Sequence, residues 1–192
     1  MTPPPVPAPH ERTLQAAGAR RKSAGVPSTA QFVERLRGLN RDAEGFIAVF
    51  DARAIAGERH LLSAWAHLGR SRNRGEARLR DRSAEFALYV AGDDQLPRAL
   101  RKVGVAEDSE EFVVVAERPR TVDDALAAFD LAAAPEIYPR AVTAATLDRL
   151  GITAEDRTVV PEAGWEGLVL ERVAFVDLSA APKGGAAPAK TS

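Results

Sequence analysis

Residues 82–105, RSAEFALYVAGDDQLPRALRKVGV, constrain the fold more than any other stretch of the chain. They read as two short helices around an acidic turn. Ser83 is a good N-cap for a helix over 84–91, Glu85 suits its first turn, and Gly92 ends it. Asp93 or Asp94 caps the next helix, where Pro97 is tolerated because it falls in the first turn. Leu96, Leu100 and Val103 supply that helix with a buried stripe, Ala99 allows close packing beside them, and Gly104 reads as a left-handed stop. No residue in the stretch is an obvious nucleophile, metal ligand or general base, so what it specifies is architecture.

The flanking sequence adds strands and more helices. Phe112–Ala116, FVVVA, is the clearest strand, and FIAVF at 46–50 follows Gly45 as a second buried one. Ser28 with Gln31 has capping-box spacing ahead of a helix carrying Phe32, Val33 and Leu36 and ending near Gly38. Residues 51–55 either prolong the second strand or turn back beside it. Gly57 opens a helix with Leu61, Trp65 and Leu68 on one face, closed by Gly69. Thr121 with Asp124 and Thr153 with Asp156 are further capping boxes. A helix over 142–150 ends at Gly151. GLVLERVAF at 167–175 fits helix or strand by pattern, and its division into two faces favours helix. About six helices against two to four strands predict an α+β fold, a single helix-rich domain with a small, mainly antiparallel sheet. That domain is expected over 28–178, between disordered Pro/Ala-rich tails at 1–27 and 179–192.

Composition narrows the chemistry. The 192 residues carry a net charge of −1 and no cysteine, which removes disulfides, thiolate zinc sites and cysteine nucleophiles. No apolar run approaches the ~18 residues of a membrane span, and nothing resembles a signal peptide, so a cytoplasmic protein is expected. Phosphate-binding glycine loops and the Gly-x-Ser-x-Gly elbow are missing from the sequence. His10, His60 and His67 are too dispersed to chelate one metal. No metal and no cofactor are expected.

Two features retain functional meaning. The first is RSRNRGEARLRDR at 70–82, which reads as an exposed loop or solvated edge whose guanidinium groups can contact phosphates and stack on unpaired bases. Arg70, Arg72, Arg74, Arg78 and Arg82, with Lys102, are the candidate RNA contacts. The second is the Asp93–Asp94 turn, which with a loop arginine offers an alternative: a small enzyme acting on a phosphorylated metabolite.

Four pieces in order carry a resemblance: FDARAIAGERHLLSA at 50–64, the 82–105 stretch with the FVVVA strand after it, LDRLGITAED at 147–156 and LVLERVAFVDL at 168–178. Together they resemble the kinase-binding regulatory subunit of the KEOPS complex, the TPRKB-type family, in an archaeal form. The resemblance implies a non-catalytic subunit of the assembly that makes threonylcarbamoyladenosine beside the tRNA anticodon. Such a subunit docks on the complex's small atypical kinase/ATPase, meets the threonylcarbamoyl transferase only indirectly, and helps recruit tRNA through its 3′ CCA end. Docked helices need an apolar centre with a polar rim, and Leu147, Leu150, Ile152 and Leu168 are the candidate kinase contacts.

Overall fold

The computed structural model describes residues 13–22, 29–41 and 43–179. Its centre is the strand that the sequence marks most clearly, Glu111–Glu117. In chain order the elements are β1 (Leu14–Arg21), α1 (Thr29–Asn40), β2 (Phe46–Asp51), α2 (Glu58–Asn73), α3 (Arg82–Ala91), α4 (Leu96–Val103), β3 (Glu111–Glu117), α5 (Val122–Ala128), β4 (Leu131–Ala133), α6 (Ala144–Leu150), α7 (Ala154–Thr158) and α8 (Trp165–Ser179). Every strand pairing is antiparallel, in the order β2-β3-β1-β4. The domain is α+β, as its sequence predicts.

The sheet is buried on both faces, which is why β2 and β3 read as continuous apolar runs and not as alternating ones. Phe46, Ala48, Phe50, Val113 and Val115 point to the larger core, filled by α2, α3, α4, α6 and α8. Ile47, Val49, Phe112, Val114 and Ala116 point the other way, against Phe32 of α1 and Ala125 and Phe129 at α5. The 82–105 stretch forms the expected helix pair, with Gly92 left-handed at φ 58° as the stop of α3.

Several local expectations change. The α3 cap is Asp81, whose carboxylate accepts from the Ser83 and Ala84 N–H groups, while Ser83 lies inside the helix. Gly69 does not end α2, which runs to Asn73 and so carries Arg70 and Arg72 on a helix instead of a loop. Gly104 is extended, not left-handed, and Leu100 faces solvent. Residues 52–54 form a single 3-10 turn. Both expected capping boxes are present, at Thr121–Asp124 and Thr153–Asp156, and the ambiguous 167–175 segment is helical.

The largest correction concerns the expected disordered tail over 1–27. Its residues 14–21 form β1, an interior strand between β3 and β4. The Ser28 cap and the expected tail residues 1–12, 23–27 and 180–192 lie outside the described residues.

Candidate functional site

The arginine-rich segment divides into buried and solvent-facing groups once its surroundings are built. Glu85 is fully buried on α3, and Arg72 reaches it from the last turns of α2, with Nε 2.7 Å from Oε2. The same guanidinium donates to the Leu79 carbonyl at 2.6 Å. The other oxygen of Glu85 accepts the Arg78 backbone N–H at 2.9 Å, and the Arg78 side chain donates to the Val176 carbonyl on α8. Arg82 meets buried Glu117 of β3 at 2.6 Å, and Trp65 donates to the same oxygen at 3.1 Å. A buried carboxylate must be paired or it costs several kcal/mol, so these three arginines serve the fold's own polar groups.

The guanidinium groups of Arg72, Arg78 and Arg82, among the candidate tRNA contacts, are thus engaged inside the fold. Arg70 and Arg74 stay exposed, Arg74 beside Glu76 at 2.8 Å. Lys102 is half-buried and pairs with Asp93 at 3.1 Å.

The expected kinase contacts change in the same way. Leu147, Leu150 and Ile152 are buried in the larger core, so they present no surface to a partner, and Leu168 is half-buried against that core. Of the large apolar side chains that do reach solvent, which include Val159, two lie further along α8. Phe175 is 55% exposed and Leu178 68% exposed, three residues apart and so on one face. The opposite face is fixed by buried Val169, Val173 and Val176. Leu62, on the neighbouring helix α2, is also exposed.

α8 is fastened along its length. Glu166 pairs with Arg59 at the start of α2 (2.8 Å). Near the other end, Asp177 takes His67 Nδ1 at 2.6 Å and the Tyr89 hydroxyl at 2.9 Å. Burial pushes the Asp177 carboxyl up, but the bonds from His67 and Tyr89 outweigh it and hold it below the usual range. The exposed apolar face of α8 thus sits on a rigid support.

The acidic turn offers no open ligand set. Asp93 accepts from the Gln95 N–H and pairs with both Arg98 and Lys102, while Asp94 pairs with Arg98 at 2.9 Å. Among the described residues no group of three or more His, Cys, Asp or Glu could hold a metal ion, and no helix is long and apolar enough to cross a membrane. His60 is fully buried in the core.

The family model described as kinase binding protein CGI-121 matches residues 24–134, more than half of the chain. It spans α1 through β4, and α6, α7 and α8 follow it. No curated protein matches the chain.

Proposed function

The chain belongs to the kinase binding protein CGI-121 family, and we propose that it is the non-catalytic regulatory subunit of a KEOPS-type tRNA-modifying assembly, binding the assembly's small atypical kinase/ATPase in the cytoplasm. The observation that carries the docking half of this reading is the solvent-facing pair Phe175 and Leu178 on a helix anchored from beneath. An aromatic and an aliphatic anchor on a rigid helix lose little entropy when a partner covers them, and exposed charges such as Glu171 supply the polar rim. Contact with the transferase subunit is indirect, through the kinase.

The tRNA half of the reading rests on Arg70 and Arg74, two of the exposed arginines of the 70–82 segment. These can contact the phosphates near a 3′ CCA end and stack on its unpaired bases.

Co-purification of the full chain with the kinase subunit tests the docking half. Replacing Phe175 and Leu178 together by Asp is expected to abolish the complex without changing the melting temperature of the free subunit. A complex that survives moves the docking face off α8, and failure to recover the kinase with the unaltered chain removes the reading. For tRNA, binding is measured against salt with intact and CCA-trimmed tRNA. Neutralising Arg70 and Arg74 is expected to flatten the slope by about 0.7 for each single-strand phosphate that no longer meets a guanidinium.

A further inference from the structure

Between the end of α1 and the start of α3 lies a cleft of about 510 Å³. Arg37 and Arg41 line it from the α1 side, and Arg72, Arg80 and Arg82 from the other. Asp81 is the carboxylate among its lining residues, and its Oδ1 already accepts from the Ser83 and Ala84 N–H groups and the Ser83 hydroxyl.

The five guanidinium groups are not equivalent. Arg72 and Arg82 are fixed by the buried carboxylates Glu85 and Glu117, each at 2.6 Å. Arg37, Arg41 and Arg80 are exposed. Arg37 approaches Glu34 only at 4.0 Å with both side chains well solvated, an interaction of little worth. Arg41 and Arg80 have no ion-pair partner among the described residues. The two walls are held in register, because Asn40 Nδ2 donates both to the Ile47 carbonyl on β2 (2.8 Å) and to the Ser83 hydroxyl on α3 (2.9 Å). A fixed cleft with three available guanidinium groups presents planar donor forks to a multiply charged oxyanion, the geometry that phosphate groups accept.

We propose that this cleft is a phosphate-binding site, in which Arg37, Arg41 and Arg80 close on adjacent phosphate groups of a free oligophosphate or a phosphodiester strand. Arg72 and Arg82, paired to buried carboxylates, hold the wall of the site. The proposal rests on the cleft's geometry and does not require the tRNA reading.

The test is calorimetric titration of the full chain with inorganic pyrophosphate and, separately, with a short single-stranded oligonucleotide lacking terminal phosphates. At least one probe is expected to bind saturably, and the R37Q/R41Q/R80Q variant to bind it at least ~10-fold more weakly, since charge-assisted bonds are removed. Binding of pyrophosphate alone assigns a free oligophosphate, and binding of the oligonucleotide assigns the strand. R98Q/R101Q, on α4 and outside the cleft, is expected to bind as the unaltered chain does. Three results overturn the proposal: neither probe binds, the triple variant binds unchanged, or R98Q/R101Q weakens binding equally, which would reduce the effect to net charge. tRNA binding that survives the triple variant separates the cleft from the tRNA reading.

Discussion

Asn40, the last residue of α1, acts as a strand partner for Ile47. Its side-chain amide donates to the Ile47 carbonyl and accepts from the Ile47 N–H, each at 2.8 Å. β2 is an outer strand of the sheet, and an outer strand leaves backbone groups open to pairing with other chains. The Asn40 amide covers the Ile47 groups of that edge and, through Ser83, ties it to α3. Asn40→Ala should strand both backbone groups of Ile47 and cost about 2–3 kcal/mol. Asn40→Asp keeps the acceptor, loses the donor and should fall between. Urea unfolding measures both, and a loss under about 0.5 kcal/mol for Asn40→Ala would mean that solvent replaces the amide freely.

Asp51 makes stability acid-sensitive. It is fully buried and accepts from Arg53 at 2.6 Å and from the Ser109 hydroxyl at 2.7 Å, with Arg149 at 3.1 Å. Burial pushes its carboxyl up, yet the bonds from Arg53 and Ser109, with the Arg149 charge, outweigh this and hold it below the ordinary 3.8. A folded value below the unfolded one gives stabilisation that is complete above the unfolded value and fades as pH falls through the folded one. Asp51→Asn should cost ~3–5 kcal/mol near neutrality by leaving the arginines uncompensated. The variant should also lose less further stability in acid than the unaltered chain, which paired denaturation curves above and below about pH 4 will read.

His60 works in a higher window. Its Nδ1 accepts from the Ala56 N–H at 3.2 Å, which leaves Nε2 protonated and donating to the Val90 carbonyl at 2.8 Å. Burial lowers its pKa from 6.5 to about 4, against the opposing pull of the Val90 bond. The unfolded chain therefore binds a proton that the folded chain refuses, and stability declines between those two values as pH falls. The full loss is about 3 kcal/mol. His60→Gln should flatten this part of the profile, because an amide offers an acceptor for the Ala56 N–H and a donor for the Val90 carbonyl without titrating. A slope left unchanged would assign the titration to other groups.

What the sequence made legible follows from range. Capping boxes at Thr121 and Thr153 and the Gly92 stop are local chemistry, and all three are present as read. β1 was hidden because its centre, AAGA at 16–19, is small, a composition that reads as flexible chain. In the fold that smallness is required: a Cβ on Gly18 would lie 2.8 Å from Ile137 Cβ. The arginine segment was ambiguous for the opposite reason. The engagement of Arg82 depends on Glu117, 35 residues away, and Arg78 ends on a carbonyl 98 residues away. For the helices, periodicity marks which side chains share a face but not which face a neighbour covers. That is why Leu147, Leu150 and Ile152 read as a surface although they are core. The usable sign was in α8, where Phe175 and Leu178 add apolar side chains opposite the buried valines.

That contrast gives a crossed pair of substitutions. Leu150→Ala removes a side chain that is 2% exposed from the larger core, and large-to-small changes of this kind cost about 2–5 kcal/mol. Phe175→Ala removes a side chain that is 55% exposed, and surface changes away from special features stay within about 0.5 kcal/mol. The expected result is therefore opposite in two measurements. Leu150→Ala should lower the unfolding midpoint strongly and, at temperatures where it is folded, leave partner affinity near that of the unaltered chain. Phe175→Ala should leave the midpoint in place and weaken the kinase complex, because a truncated aromatic anchor typically costs over about 1 kcal/mol at an interface. If Phe175→Ala instead destabilised the free subunit by as much as Leu150→Ala, the α8 face would be part of the fold's own packing and would have no surface to give to a partner.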